Sequence, residues 1–237
     1  MNKKILAFTG RLGSGKDYTA MKHISKLKDN GNSIYMVSFA DPIKQILFDS
    51  FNLTKTKSAN PIILSKQGTM IDVTDFMYKL IYQVDNTIEY TKIVENYKKY
   101  EDEFYFHVEN CVNDVNYDFS FRRLGQLLGT ELGRYIRDSI WIDLAYHKIK
   151  KAFDANLCTY AIIADVRFLN EYQSLIDFEK ETGIECKCYG IVATNETRAK
   201  RRGLTMEELV AQDQHGSEVE VDSIIAKLPA NQIIDNN

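Results

Sequence analysis

Gly10-Arg11-Leu12-Gly13-Ser14-Gly15-Lys16 has the residue types and the spacing needed to hold a chain of phosphates. The pattern G-x-x-x-x-G-K lies between an apolar run, Lys4–Thr9, and a helix expected from near Lys16, the context in which it forms a phosphate loop. Glycines let the backbone curl so that successive N–H groups point inward at a helix N-terminus, which makes an anion-binding nest. Lys16 supplies positive charge for the β- and γ-phosphates. A serine or threonine normally follows that lysine and ligates Mg²⁺, but this chain has Asp17. A carboxylate can also hold the metal, directly or through water, so Asp17 is the candidate metal ligand. Its negative charge beside phosphates calls for cations nearby.

Three downstream segments can supply them. Thr197-Arg198-Ala199-Lys200-Arg201-Arg202 follows an expected strand and precedes Gly203. An arginine-bearing segment that closes over the phosphates would neutralise developing charge and exclude water, which makes Arg198 and Arg202 catalytic candidates. A solvated basic helix face is the competing explanation. Asp165-Val166-Arg167-Phe168-Leu169-Asn170-Glu171 follows a buried strand at its carboxyl end, where open parallel sheets bind ligands. Asp165 could orient a metal or a substrate hydroxyl, Arg167 could pair with a phosphate, and Glu171 could accept a hydrogen bond. A helix cap with a surface salt bridge would account for the same residues. In the third segment, Ser120 is an expected cap for a helix carrying Arg122, Arg123 and Gln126, which breaks at Gly129-Thr130. Two arginines with an amide one turn later suit a phosphate plus the edge of a base. Trp141, the only tryptophan, could stack on that base or fill the core.

The elements that must position these groups alternate. Strands are expected at Lys4–Thr9, Ile34–Phe39, Tyr160–Ala164, Cys186–Ala193 and Gln232–Ile234, the last at an edge. Helices are expected after Lys16, after Asp41-Pro42, from about Asp138 to Phe153 and from about Asn170, and Thr205 with Glu208 forms a capping box. Asp41 suits an N-cap and Pro42 the first helical position. Such alternation predicts an α/β fold, a parallel sheet flanked by helices. Between about 54 and 118 the pattern weakens, but Phe76, Leu80, Ile81, Val84 and Ile88 recur at helical spacing. A helical insertion is expected there, either packing beside the core or helping to enclose a substrate. With an arginine-bearing lid at about 195–218, the 237 residues read as a single domain.

Composition narrows the partners. The net charge of −3, with 44% hydrophobic and 27% charged residues, is that of an ordinary globular protein rather than a polyanion binder, so direct nucleic-acid binding is not expected. No apolar run approaches the roughly 20 residues that cross a bilayer, and the N-terminus is too short in apolar residues for a signal-peptide core. Cys111, Cys158, Cys186 and Cys188 lack zinc-site spacing; Cys186 and Cys188 alternate as on one face of a strand. A cytoplasmic location is the expectation. His215 reads as a surface residue near the lid.

Gly15-Lys16-Asp17, Phe39-Ala40-Asp41-Pro42-Ile43-Lys44, the Arg122–Leu132 run, Trp141 and Asp165-x-Arg167-x-x-x-Glu171 stand in the order in which they occur in bacteriophage deoxynucleoside monophosphate kinases. The chain resembles that family of P-loop kinases over most of its length, least between Asn52 and Asp118. The resemblance implies Mg²⁺-dependent transfer of the γ-phosphate of ATP to a deoxynucleoside monophosphate, giving the diphosphate, in the host cytoplasm if the chain is phage-encoded. It implies a donor site at Gly13, Ser14, Gly15, Lys16, Asp17 and Tyr18, and an acceptor site with Ile43, Lys44, Arg123, Gly129, Thr130, Trp141, Asp165, Arg167 and Glu171. Arg123, Asp165 and Arg167 would join Lys16 in catalysis. Tyr18 stands where relatives carry a small hydroxyl residue, and the chain stops soon after its last strand, without the terminal helix that relatives lead one to expect. Family members are often dimers, which leaves a homodimer open.

Two other functions fit parts of the pattern. A phosphomevalonate-type kinase shares Gly-Lys-Asp, and a nucleotide-binding switch ATPase would need only the phosphate loop. Lys44, Arg123 and Arg167 lie outside that loop and argue for a second anion site, which a switch does not need.

Overall fold

Short β-branched and apolar runs separated by glycine-bounded turns form a parallel sheet in the computed structural model, which describes residues 3–51, 53, 70–214 and 216–237. In chain order, β1 (Lys4–Thr9), α1 (Lys16–Asp29), β2 (Ile34–Val37) and α2 (Asp41–Phe51) come first. Then follow α3 (Met70–Tyr82), α4 (Tyr90–Lys98), α5 (Glu101–Val112), α6 (Tyr117–Gln126), a π-helical stretch Leu127–Arg134 and α7 (Ile140–Asp154). β3 (Tyr160–Val166), α8 (Leu169–Thr182), β4 (Glu185–Val192), α9 (Asn195–Arg202), α10 (Met206–Asp213), α11 (Gly216–Val219), α12 (Val221–Ile225) and β5 (Ile233–Asp235) complete it. The chain divides into two compact units, Met1–Phe39 with Lys148–Asn237, and Ala40–His147.

The first unit carries the sheet. Among the described residues its order is β2-β3-β1-β4-β5, all neighbours parallel. β1 is central because both its faces are covered: Ile5, Ala7 and Phe8 are wholly buried, and Phe8 packs with Ala20 and Ile24 of α1. β1 runs between β3 and β4 with Thr9 opposite both Val166 and Gly190. The chain therefore leaves β1 where the order switches sides, the place at which such sheets bind ligands. The α/β expectation holds, β5 is an edge strand as its pattern predicts, and the second strand ends at Val37 rather than Phe39. Cys188 on β4 is buried and Cys186 partly so; burial pushes both thiols up to about 12, so neither is poised as a nucleophile.

The second unit is helical, with a core that includes Phe51, Met77, Ile81, Tyr97, Phe104, Leu124, Leu128 and Trp141. Of the spacing that suggested helices, Phe76, Leu80 and Ile81 fall on α3, while Val84 and Ile88 pack on the same core beyond its end. The first part of the insertion expected at about 54–118, residues 54–69, lies outside the described residues, as does His215.

Two local expectations are corrected here. Ser120 is not a cap: α6 starts at Tyr117 behind Asn116, which adopts φ 50°, and Ser120 is buried with its hydroxyl 3.2 Å from His107 Nδ1. Asparagine is among the few residues that enter the left-handed region readily, so it takes the boundary. Nor does the helix break at Gly129-Thr130. It widens into the π-helical stretch, in which Gly129 O accepts the Trp141 indole N–H at 2.7 Å and Gly133 lets the same ring lie against the backbone. A Cβ at Gly133 would sit 2.1 Å from Trp141 Cζ2 and 2.8 Å from Leu128 O. Gly133→Ala is therefore expected to cost about 2 kcal/mol through overpacking, a fall of about 6 °C in Tm for a chain of this size. Thermal unfolding followed by circular dichroism checks it.

Candidate functional site

The phosphate loop folds as its glycines require. Gly13 and Gly15 both have φ +83°, the left-handed region that L side chains rarely adopt, and Gly15 is the N-cap of α1. Both also lie close to neighbours: a Cβ at Gly13 would meet Arg198 O at 3.1 Å, and one at Gly15 would meet Asn236 Nδ2 at 2.1 Å. The loop is closed by Ser14 N–H to Arg11 O at 3.0 Å, and α1 starts with Thr19 N–H to Gly15 O at 3.0 Å.

Lys16 is buried and its ammonium donates to Asp17 Oδ1 at 2.6 Å and to the carbonyl of Ala164. That second bond ties the loop to the carboxyl end of β3. One residue on, Asp165 accepts from Ser38 Oγ at 2.5 Å and Phe39 N–H at 3.1 Å, which fixes the end of β2 to the end of β3. Asp17 and Tyr18 are exposed on the first turn of α1. The Thr9 and Ser14 hydroxyls are buried without a hydrogen-bond partner among the described residues. Ser14 Oγ belongs to the loop itself, so a bound phosphate would satisfy an atom the protein leaves unbonded.

The basic segment forms α9, and Thr194 caps it by accepting Thr197 N–H at 3.3 Å. Arg198 is only 2% exposed. Its Nε donates to Leu12 O at 2.9 Å, its Nη1 to Asn195 Oδ1 at 3.0 Å, and both Nη groups to the Asp213 carboxylate. Asp213 also pairs with Arg11 of the loop at 2.8 Å. Burial pushes the Asp213 carboxyl up, but the bonds and charges of Arg198 and Arg11 outweigh it and hold it below the ordinary value. Arg198 thus anchors α9 and α10 to the loop. Arg202 is exposed, and its Cγ is one of the atoms nearest to Gly13. Arg201 reaches the loop as well, donating to Ser14 O at 3.2 Å beside Asn236 Nδ2 at 2.8 Å. Neither Arg201 nor Asn236 stood out in the sequence: the first is one of four basic side chains within five residues, and the second follows an edge strand with no motif around it.

The turn after β3 places Arg167 and Glu171. Glu171 is buried, and Oε2 accepts the N–H groups of Arg167 at 2.7 Å and Phe168 at 3.1 Å, the contacts of a cap at the start of α8. The Arg167 guanidinium donates to Glu218. A cavity of about 470 Å³ lies between the loop, the end of β4 and α9, α10 and α12, lined among others by Arg11, Ser14, Val192 and Asn195.

The remaining residues of interest stand in the second unit. Arg123 on α6 is held by Glu103 at 2.7 Å and Glu131 at 2.5 Å, and these bonds raise its pKa further. Its fork is thereby pre-set. Lys44 on α2 is exposed and pairs with Asp41 at 3.1 Å, a contact worth at most about 1 kcal/mol. Gly129 is buried within 3.0 Å of Ile43 Cδ1 as a Cβ there would measure it, and Thr130 is exposed. Trp141 is buried in the core. Lys16, Asp165 and Arg167 are thus brought together at the strand ends of the first unit, while Ile43, Lys44, Arg123, Gly129, Thr130 and Trp141 belong to the second.

The donor set is suited to a nucleoside triphosphate with a hard cation. Among the described residues no cluster of three or more His, Cys, Asp or Glu side chains could hold a metal ion. No described helix is long and apolar enough to cross a membrane.

A family model described as deoxynucleotide monophosphate kinase matches residues 4–208. No curated protein matches the chain. Among solved structures, TT1252 from Thermus thermophilus is similar at 12% identity, over 100% of this chain and 90% of that one, with a TM-score of 0.44.

Proposed function

Because the chain belongs to the deoxynucleotide monophosphate kinase family, a family of phosphotransferases that act on small nucleotides, we propose that it moves the γ-phosphate of ATP to a deoxynucleoside monophosphate with Mg²⁺. The observation that carries the donor half is the loop itself: two left-handed glycines, a helix N-terminus and a buried Lys16 whose ammonium lies at the end of β3. Backbone N–H groups of Gly13 and of Gly15–Tyr18 would take the donor phosphates, with Ser14 Oγ adding a further donor. Lys16 would neutralise charge as the β–γ bond loosens. Arg202 would meet the donor phosphates from α9, and Arg198 would act by holding that helix on the loop.

Asp17 would hold Mg²⁺ directly or through water; the ion, when bound, supplies charge neutralisation between the β- and γ-phosphates. Asp17→Ala is expected to leave the fold intact, since the side chain is exposed, and to raise the Mg²⁺ concentration needed for half-maximal turnover by about tenfold, the scale for losing one ligand contact. A Mg²⁺ titration at saturating nucleotide checks this; an unchanged midpoint would remove Asp17 from the metal site.

For the acceptor, Arg167 and Arg123 are the proposed phosphate partners, Asp165 the partner of the metal or a substrate hydroxyl, and Glu171 the residue that shapes the Arg167 turn. Ile43, Lys44, Gly129 and Thr130 are assigned to the acceptor through the resemblance in their segments, and Trp141 to the support of the Gly129 backbone beneath it. We place the reaction in the cytoplasm, with no nucleic acid as partner, and regard residues 1–237 as one kinase domain with an insertion at about 54–118 and a lid at about 195–218. A panel of deoxy- and ribonucleoside monophosphates, each offered with ATP and Mg²⁺, tests the assignment. Diphosphate formed from one or more deoxynucleotides supports it; transfer to phosphomevalonate alone would select the other kinase class.

A further inference from the structure

We propose that Glu218 is a positioning residue for the transfer reaction, tying the side chain of Arg167 to the tip of the phosphate loop. Glu218 is 5% exposed. One carboxylate oxygen accepts the N–H of Leu12 at 2.9 Å, and the other accepts from Arg167 Nη1. A buried carboxylate is costly unless paired and hydrogen-bonded, and here both oxygens are taken by groups at the reaction centre. Leu12 is the third residue of the glycine-rich motif, and Arg167 is the cation at the end of β3. Glu218 is 206 residues from the first and 51 from the second in sequence, so no local secondary structure imposes the contact.

The turn is fixed from two directions. Glu171 takes the main-chain N–H of Arg167 at 2.7 Å, and Glu218 takes its side chain. Glu220, two residues beyond Glu218, takes the N–H of Leu169 at 2.5 Å. Arginine carries five N–H donors in a rigid fork. Anchoring one of them aims the others while keeping them available to a phosphate. A side chain left to sample its rotamers would spend most of its time away from that geometry, and small misplacements of a positioning group slow transfer strongly. The role rests on the proposed reading of Arg167 as a partner of a substrate phosphate.

Steady-state kinetics of Glu218→Gln, Arg167→Ala and the double variant test this, with Thr182→Ala as a stability control: that hydroxyl donates to Phe178 O at 2.7 Å and accepts from Ile184 N–H at 3.2 Å at the far end of α8. Glu218→Gln keeps the shape and an acceptor for Leu12 but removes the charge that holds the guanidinium. The expected result is a loss of about tenfold in kcat for transfer to the deoxynucleoside monophosphate, with KM for ATP changed less than twofold. In the Arg167→Ala background the same change should add less than about twofold, because the group it positions is gone. Wild-type kcat in Glu218→Gln, or losses that multiply in the double variant, would overturn the proposal. If Glu218→Gln also lowers Tm, Thr182→Ala decides: an equal loss of kcat there at equal Tm would make the effect one of stability and overturn it too. Unaltered enzyme that transfers no phosphate to any deoxynucleotide would instead overturn the underlying function, and the role of Glu218 with it. Transfer by that enzyme with no effect at Glu218 would sink the positioning role alone.

Discussion

Lys16→Ala will lower kcat/KM for phosphoryl transfer by about a thousandfold, the upper range for removing one preorganised donor from a transition-state site. The reason lies in where the ammonium sits. It is buried between the start of α1 and the carbonyl of Ala164, one residue before Asp165, so its charge is aimed across the carboxyl ends of β1 and β3. In a site shielded from water that charge is worth far more than in solvent. The fold should tolerate the loss, because the bond to Ala164 is one neutral-acceptor contact worth about 1–3 kcal/mol with a charged donor. Arg198 is a poorer choice for the same question. Its guanidinium is buried against Asp213, which keeps its pair with Arg11, and removing the guanidinium would loosen α9 and α10 from the loop and so mix folding with catalysis. Single-turnover measurement of Lys16→Ala, with Tm recorded alongside, separates catalysis from folding.

The second large effect is expected at Arg123. Arg123→Ala should raise KM for the monophosphate about thirtyfold while changing KM for ATP less than threefold, as follows from losing one charge-assisted bond of about 2 kcal/mol to a phosphate. Glu103 and Glu131 hold two of its nitrogens and so fix the fork before substrate arrives. The same substitution leaves those two carboxylates without their cation. Both are partly exposed, so solvent softens that penalty. A rise in both KM values to the same extent would remove Arg123 from the acceptor side.

Much of this was legible in the sequence because it is local. The strand–glycine loop–helix run of Lys4–Asp29 needs only the spacing of glycines and an apolar period, and Asp41-Pro42 marks the start of α2, although the helix begins at Asp41 itself, with Lys44 N–H bonded to Ala40 O, rather than after an Asp41 cap. The edge strand at Ile233–Asp235 was readable from a short apolar run near the end of the chain. The Leu127–Arg134 stretch was misread as a break because Gly129 and Thr130 look like helix terminators. Their backbone is held instead by Trp141, whose indole comes from beyond the segment. Ser120 failed as a cap for a similar reason: its hydroxyl has a partner in His107, 13 residues earlier.

The site was half legible. Lys16, Asp165, Arg167 and Glu171 carry motifs, and the structure assembles them at the strand ends. Arg201, Asp213, Glu218 and Asn236 reach the loop across 187 to 222 residues, and their side-chain types are ordinary for a surface. Only packing α9–α12 and the last residues against the loop reveals them. The basic run at 198–202 illustrates the split. Its charge was evident, but which arginine is buried as an anchor and which faces outward depends on the face that α9 turns to the loop.

Tracing the label from γ-³²P-ATP is the most direct measurement, with enzyme, Mg²⁺ and each deoxynucleoside monophosphate in turn and the products separated by chromatography. The label should appear at the β-position of the deoxynucleoside diphosphate, in equal amount to the ADP formed, and should vanish with Lys16→Ala. Label found only as inorganic phosphate, at a rate indifferent to every monophosphate, would contradict the account.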